Sequence, residues 1–140
     1  MLQMKYAASG TNVPATQLAV AAFIREGHYH RHLRRMRLHY QRQMEIYTCW
    51  VREYFPCGIY VTRPKGGFML WIELPESVDM VCVARQLTRL KIRVAPGSLF
   101  SASGKYRNCL RINCALPTSE RHQQALKQVG EALHHAMEES

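Results

Sequence analysis

The stretch NCLRINCALPTSER, residues 108–121, decides the fold. Its first half is mostly apolar and predicts a short buried strand over 109–115. Arg111 lies in the middle of that strand. An arginine side chain stays charged in proteins, so a position inside a sheet requires a partner for its guanidinium. The strand therefore predicts that Arg111 meets a negative group, either in this chain or in a ligand.

Around this strand the hydrophobic pattern predicts three further strands and two helices. A KGG turn joins the first two strands, and the third runs into a loop that pivots on Pro96–Gly97. Ser77 is a candidate cap for one helix, and Thr118 or Ser119 for the other. The strands are expected within 59–64, 68–75 and 91–101, and the helices over 77–90 and 118–139.

Before residue 59 the pattern is helical. A first helix is expected over 15–27, with Thr11 or Asn12 as its cap and Pro14 in its first turn. A second helix of about 28 residues, roughly 40 Å long, is longer than the core of one small domain can cover. We expect it to pack along a further element. Its apolar stripe consists of Tyr29, Leu33, Met36, Tyr40, Met44, Tyr47, Val51 and Tyr54.

The order of elements is helix, long helix, strand, strand, helix, strand, strand, helix. This order predicts an α/β chain of the α+β two-layer type, with a small, mostly antiparallel sheet covered by helices and preceded by one long helix. We expect a single domain over residues 1–140, in which about 12–58 is helical and 59–140 forms the α/β unit.

The composition, 47% apolar and 21% charged, is that of a globular protein. A net charge of +9 favours polyanionic partners such as nucleic acid, phosphate-bearing ligands or acidic protein surfaces. No apolar run reaches the roughly 18 residues of a membrane span, and the first residues lack a signal-peptide pattern. We therefore expect a cytoplasmic protein without a membrane partner. The cysteines lack CxxC spacing and predict reduced core residues: Cys49, Cys57, Cys82, Cys109 and Cys114.

The basic segment within residues 25–43 admits two interpretations. Its arginines could contact nucleic-acid phosphates, or they could form the solvated face of the long helix. His28 and His32 have the spacing of a helical metal-ligand pair, but no carboxylate accompanies them, so no metal site is predicted. The chain also lacks the common motifs of a complete active site, and no catalytic residue is assigned. The arginines are Arg31, Arg34, Arg35, Arg37 and Arg42.

Two loops of small residues accompany Arg111. Gly66 and Gly67 precede an apolar strand, and Pro96–Gly97–Ser98 follows another. Small residues allow a ligand or a second chain segment to approach the backbone closely, although each loop alone is also consistent with a simple turn. Together with a half-buried guanidinium, the loops suit a carboxylate that is held by two parallel hydrogen bonds.

These segments carry a resemblance to a known family. PKGGFMLWIELP (64–75), IRVAPGSLFS (92–101) and NCLRINCALPTSE (108–120) resemble, in order and spacing, the C-terminal small domain of fold-type I pyridoxal-phosphate-dependent aminotransferases. The similarity covers residues 12–138. The basic segment looks like the MocR branch of GntR-type transcription regulators, in which an aminotransferase-like domain follows a winged helix-turn-helix domain.

The resemblance implies a role for each residue of the constellation. Arg111 falls on the arginine that binds the α-carboxylate of an amino-acid substrate or effector in this family. Gly67, Pro96, Gly97 and Ser98 would line the same cleft. The structural alternative is a salt bridge from Arg111 to an acidic residue of this chain, either Asp79 or a C-terminal glutamate.

The sequence also departs from the family. The Schiff-base lysine of the cofactor site and the winged helix have no counterpart in these residues. We therefore expect pyridoxal phosphate only in a full-length parent, with none bound to this chain alone and no transaminase activity of its own. The parent is expected to bind an amino-acid-like small molecule, to contact DNA through an upstream winged helix, and to form a homodimer.

Three functions remain open at this point. The first is the effector-binding part of a regulator, and the second is the small domain of a true pyridoxal-phosphate-dependent aminotransferase. The third is a basic nucleic-acid-binding module that uses residues 25–43. An upstream winged helix would separate the first two. The third predicts DNA affinity that falls steeply with salt.

Overall fold

The computed structural model describes residues 13–139. The chain divides into two compact units, residues 1–37 and 38–140. The first unit contains helix α1 (Pro14–Arg25) and the beginning of helix α2 (His28–Tyr54). Helix α2 has 27 residues, close to the length that its apolar stripe predicts. The single-domain organisation stays a prediction.

The ends of α1 follow from its flanking residues. Pro14 occupies the first turn, where its missing N–H removes no helical hydrogen bond, and Gly27 follows the helix with a φ of 76°. The predicted caps Thr11 and Asn12 lie outside the described residues. Val13 holds the N-cap position and makes no side-chain capping bond. The exposed apolar side chains of α1 include Leu18, at 72% exposure.

The second unit contains the remainder of α2, four strands and two further helices. Glycine and proline residues separate most of these elements, as the sequence pattern indicates. The strands are β1 (Tyr60–Val61), β2 (Met69–Glu73), β3 (Ala95–Pro96) and β4 (Cys109–Asn113), and the helices are α3 (Met80–Arg89), α4 (Glu120–Glu138) and the 3₁₀ turn Gly97–Phe100.

The four strands form one sheet in the order β1-β2-β4-β3, and every neighbouring pair is antiparallel. Strand β4 is therefore interior, with β2 on one side and β3 on the other. Arg111 lies opposite Trp71 of β2 and opposite Ala95 of β3. The small antiparallel sheet and its helices confirm the predicted fold class.

One face of the sheet packs against the helices. Leu70, Ile72 and Leu110 are at most 1% exposed and belong to the same core as the buried side chains of α2, α3 and α4. Successive residues of a strand point to opposite faces, so Trp71 and Arg111 lie on the other face. This alternation places the guanidinium on the side of the sheet away from the helical core.

Two predicted strands are much shorter than their apolar patterns. In β1, the ladder to β2 ends after Val61. The Thr62 backbone N–H still donates to the Trp71 carbonyl at 2.9 Å, but the Trp71 N–H donates to the Thr62 hydroxyl, which replaces the Thr62 carbonyl as its acceptor. In the segment 91–101, only Ala95 and Pro96 pair with β4, because the next four residues turn into a 3₁₀ helix.

One of the two predicted caps of this unit is wrong, and the other holds its predicted position. Asp79, and not Ser77, caps α3: its carboxylate accepts a hydrogen bond of 2.8 Å from the Val81 N–H. Ser119 holds the N-cap position of α4, but its hydroxyl bonds to His122 Nδ1 instead of the helix backbone.

The expectation that all five cysteines are core residues is wrong for three of them. Cys109 and Cys114 are buried, whereas the other three lie at the surface with free thiols: Cys49, Cys57 and Cys82. The hydrophobic pattern alone does not separate these positions, because cysteine is a small residue that occurs on both buried and exposed surfaces.

Candidate functional site

The candidate site is centred on Arg111, the middle residue of the interior strand β4. The side chain is half-buried, between Trp71 and Ala95 of the two neighbouring strands. Its guanidinium carbon lies 3.9 Å from the centroid of the Phe100 ring. Such stacking covers one face of the guanidinium and leaves the N–H groups along its edges available to an anion.

Aromatic rings extend this surface beyond Arg111. The Trp71 ring lies 6.1 Å from the Phe100 ring and 5.4 Å from the Tyr106 ring, and both contacts are edge-to-face. Phe100 and Tyr106 are 43% and 50% exposed, so one side of each ring remains open to a ligand or to another chain segment. The guanidinium therefore lies at the end of a partly open aromatic wall.

The acidic residues of the described chain leave Arg111 without an ion pair. Asp79, one of the two predicted partners, binds Arg107 instead. Of the C-terminal glutamates, Glu138 lies 4.0 Å from His135. Within residues 13–139, no carboxylate pairs with Arg111. The structural alternative, a salt bridge from Arg111 to Asp79 or to a C-terminal glutamate, therefore does not form among these residues.

Arg111 also lines a cavity of about 690 Å³ in the second unit. The walls come from the end of α3 with the segment leading to β3, from β4, and from the first turns of α4. Cationic and polar side chains supply part of the lining, and none of the lining residues is acidic. These side chains are Lys91, Arg93, Arg111, Asn113, Arg121 and His122.

The ends of α3 and α4 shape this cavity. Lys91 adopts a left-handed φ of 62° after α3, and its N–H donates to the Thr88 carbonyl at 3.0 Å. This turn starts the segment that carries Arg93 toward the sheet edge. Two other lining residues are bonded to each other, since the Tyr47 hydroxyl donates to the Leu116 carbonyl at 3.4 Å.

Two weakly acidic groups near the cavity stay neutral at physiological pH. Burial, with a smaller contribution from Cys114, raises the pKa of the Tyr47 hydroxyl above its ordinary value. Burial raises the pKa of the Cys114 thiol to about 12. Neither group adds a negative charge, so the arginines and the lysine set the electrostatic character of the cavity.

The structure separates the two predicted loops. Gly67 is exposed and precedes β2, near the end of β4 where the Cys114 N–H donates to the Phe68 carbonyl at 2.8 Å. Pro96 pairs with Leu110, near the opposite end of β4. Arg111 lies between these two ends, and the cavity lining includes neither loop. The role of each loop in a cleft stays a prediction.

Gly97 is buried against the loop that precedes β4, and Ser98 beside it is half-buried. A Cβ atom at Gly97 would lie 2.5 Å from the Tyr106 carbonyl oxygen and 2.7 Å from the Cβ of Cys109. The backbone therefore needs glycine here for close packing of the two segments. This packing sets the position of Tyr106 beside Trp71.

The other predicted features lie elsewhere. The five arginines that were candidates for phosphate contact are exposed on α2. In the part of the chain that the structure describes, no group of three metal-ligating side chains comes together. No helix over the same residues is both long and apolar enough to cross a membrane.

Sequence reasoning missed Phe100, Tyr106 and Arg93. Phe100 ends the 3₁₀ turn and Tyr106 lies in the loop before β4, two segments whose hydrophobic pattern carries no period, so only the fold brings them to Trp71 and Arg111. Arg93 had a detectable signal. It alternates with Ile92 and Val94, which predicts that it lies on the same face of the edge strand as Ala95, the neighbour of Arg111.

Comparisons with known proteins agree with this fold. The family model described as aminotransferase class I and II matches residues 2–129. An uncharacterized HTH-type transcriptional regulator of Escherichia coli, YjiR, is 72% identical over 138 residues, which are 99% of this chain and 29% of that protein. A second such regulator of the same species, YdcR, is 31% identical and aligns with 84% of this chain and 25% of its own length. The chain thus spans less than a third of either relative.

Solved structures give the same architecture. The α-aminoadipate aminotransferase LysN of Thermus thermophilus, solved as a complex with N-(5'-phosphopyridoxyl)-L-leucine, superposes with a TM-score of 0.86 at 27% identity, over 99% of this chain and 35% of that one. A kynurenine aminotransferase of Pyrococcus horikoshii superposes with a TM-score of 0.85 at 20% identity, over 94% and 33% of the two chains. The second similarity concerns the fold alone.

Proposed function

Because the chain belongs to the class I and II aminotransferase family, we propose that it is the effector-binding part of a transcriptional regulator. In this proposal Arg111 binds the α-carboxylate of an amino-acid-like ligand. The 72% identity to an HTH-type regulator over nearly the whole chain supports the regulator over the enzyme. The unpaired, half-buried guanidinium in the interior strand carries the assignment of the residue.

The surroundings of Arg111 favour a carboxylate over other groups. The Phe100 ring covers one face of the guanidinium, so a ligand must approach along its edge. A carboxylate matches two parallel N–H groups on that edge with two oxygens, whereas a neutral acceptor satisfies one. The absence of acidic residues from the cavity lining lets an anion enter without repulsion.

The described residues do not form a site for pyridoxal phosphate. This cofactor requires a lysine amine in an enclosed site, and the lysines at positions 65, 91, 105 and 127 are all exposed. When bound, the cofactor reacts with amino groups of amino acids. In our proposal the cofactor is held by other parts of a longer protein, and the present residues supply the clamp for the carboxylate.

The remaining partners belong to the same proposal. DNA would be bound by a winged-helix domain of the full-length protein, as the names of the two regulators suggest. A homodimer and a cytoplasmic location are expected of such a regulator. The second candidate function, the small domain of a true aminotransferase, rests on the structural similarity to LysN.

The test uses the whole protein that carries this sequence, loaded with pyridoxal phosphate. Amino-acid binding is measured by titration calorimetry and by the absorbance of the cofactor, for wild type, Arg111→Ala and Arg111→Lys. Loss of a charged hydrogen-bonding clamp should weaken binding roughly ten- to hundredfold in Arg111→Ala, with Arg111→Lys between the two. Arg85→Ala, an exposed arginine of α3 outside the cavity, is the matched control.

Equal affinities of wild type and Arg111→Ala would overturn the assignment of the clamp. Transfer of amino groups between an amino acid and a keto acid, measured in the same preparation, separates the two functions. Sustained turnover supports the enzyme, whereas binding without turnover supports the regulator.

A further inference from the structure

The first unit of the chain carries a concentration of positive charge that the carboxylate clamp does not use. Over residues 13–37 there are five arginines and one glutamate, which gives a net charge of +4 with the histidines neutral. The carboxylate of that glutamate, Glu26, lies 3.4 Å from His28 Nε2. The five arginines are all exposed, and none forms an ion pair within residues 13–139: Arg25, Arg31, Arg34, Arg35 and Arg37. Their charge is therefore available to an anionic partner.

Three of these arginines lie on one side of helix α2. Side chains three and four residues apart share a helix face, so Arg34 and Arg35 both lie next to Arg31. At 3.6 residues per turn, the three positions occupy a sector of about 100° whose centre is opposite the apolar stripe. Arg31, Arg34 and Arg35 are called the basic face below.

Helix α1 packs against another side of α2. The Phe23 ring of α1 lies 5.8 Å from the His28 ring and 6.5 Å from the His32 ring. By the same helical geometry, both histidines lie outside the sector of the basic face. The contact between the two helices therefore leaves the basic face exposed.

The composition of the basic face favours nucleic-acid phosphates over an acidic protein surface. A protein–protein interface has apolar or aromatic residues at its centre, whereas all three residues of the basic face are arginine. A guanidinium binds a phosphate through two parallel N–H groups. A DNA duplex carries one negative charge per about 1.7 Å of its axis, so several phosphates fall within the roughly 6 Å between Arg31 and Arg35.

The sequence around the basic face also indicates how such a contact would depend on base sequence. Over residues 28–39, α2 has no asparagine, glutamine, serine or threonine. Proteins that read base edges in the grooves commonly place these side chains beside arginine. Contacts made by arginine to the phosphates alone carry no base information.

We propose that the basic face binds backbone phosphates of the DNA held by the whole protein, independently of base sequence. This inference rests on the proposed function, in which the whole protein is a DNA-binding regulator. It adds a second DNA contact, on the aminotransferase-like part of the protein, to the contact expected of the winged helix. Each arginine of the basic face neutralises one phosphate.

The experiment measures how DNA binding by the whole protein, loaded with pyridoxal phosphate, depends on salt. Fluorescence anisotropy gives the affinity for two labelled duplexes of equal length and unrelated sequence. In the variant that combines Arg31→Gln, Arg34→Gln and Arg35→Gln, the loss of three phosphate contacts should lower the slope of log affinity against log salt by about 2.7. Between about 50 and 200 mM salt, wild type should thus lose roughly 40-fold more affinity than the variant, on both duplexes.

Two further variants show whether the effect is local and due to charge. The first combines Arg52→Gln, Arg85→Gln and Arg89→Gln, which removes the same charge from exposed helical positions elsewhere and should keep the wild-type slope. The second replaces the three arginines of the basic face by lysine and should also stay close to the wild-type slope, because it keeps the charge. Glutamine and lysine both have high helix propensity, so α2 is retained in all three variants.

The outcomes separate this inference from the proposed function. If wild type binds neither duplex at the lowest salt concentration, the proposed regulator fails, and the inference fails with it. If wild type binds but the glutamine variant of the basic face keeps its slope, the inference is wrong and the regulator stands. An equal fall in the control variant assigns the effect to net charge, and a fall on one duplex only contradicts sequence-independent contact; either result overturns the inference.

Discussion

Replacing Gly97 by alanine tests whether the aromatic wall beside Arg111 is held in place by close packing. The added Cβ would lie 2.5 Å from the Tyr106 carbonyl oxygen and 2.7 Å from the Cβ of Cys109. Both neighbours are fixed: the carbonyl belongs to the backbone and accepts the Cys109 N–H at 3.0 Å, and Cys109 is only 2% exposed. One of the two segments must therefore move.

The expected change in the free energy of unfolding of Gly97→Ala follows from two opposing effects. Overpacking of a fixed site costs about 1–3 kcal/mol of the free energy of unfolding. Replacing glycine by alanine restricts the unfolded chain and returns about 0.4–1 kcal/mol. The net loss is roughly 1–2 kcal/mol, which is a fall of about 0.5–1 M in the urea midpoint at a slope of about 2 kcal/mol per M.

Gly66→Ala is the matched control for urea unfolding followed by circular dichroism. A Cβ at Gly66 meets no atom within 4 Å, and the residue does not have a left-handed φ. This variant should be as stable as wild type or more stable by up to about 1 kcal/mol. If Gly97→Ala behaves like Gly66→Ala, the packing argument for the loop is refuted.

Two further predictions concern the scaffold. Asp79→Ala should lower the free energy of unfolding by about 1 kcal/mol at neutral pH. Arg107 and the Val81 N–H lower the pKa of Asp79, so this stabilisation is present above the ordinary carboxyl pKa and is lost as the pH falls through the folded-state pKa. Urea unfolding of wild type and Asp79→Ala across that pH range should therefore show that their free energies of unfolding converge. A difference that stays constant with pH would contradict this. In a thiol titration of the native protein, the three exposed cysteines should react quickly. Cys109 and Cys114 should react only on unfolding, because burial raises the pKa of both thiols. More than three fast-reacting thiols would contradict the burial of these two residues.

The elements that the sequence predicts well are those with an uninterrupted period. The length of helix α2 and the position of strand β4 follow from their hydrophobic patterns, β4 to within two residues. The pattern does not predict burial along α2, where only Gln43, Tyr47 and Val51 are buried. The strand at 59–64 is only two residues long, since the Thr62 hydroxyl replaces the Thr62 carbonyl as the acceptor for the Trp71 N–H. A side chain that replaces one backbone acceptor of the ladder leaves no trace in the apolar pattern.

The residues of the candidate site also differ in how well the sequence predicts them. Arg111 could be selected from the sequence, because a charged residue is unusual in an otherwise apolar strand. Phe100 and Tyr106 could not, because their places depend on non-local geometry. Tyr106 has a left-handed φ of 64°, an uncommon conformation for a bulky residue that the packing of Gly97 and Cys109 maintains.

In the proposed function, the protein has to keep an unpaired guanidinium in an interior strand while the proposed ligand is absent. Full burial of an unpaired charge would be prohibitive, but Arg111 is only half-buried and keeps contact with water. The Phe100 ring, 3.9 Å from the guanidinium carbon, offsets part of the remaining cost with about 0.5–2 kcal/mol. A carboxylate partner from this chain would stabilise the fold more, but it would compete with the ligand. The stacked ring holds the guanidinium in place and leaves its hydrogen-bonding edge free, which is what a binding site requires and a structural salt bridge would prevent.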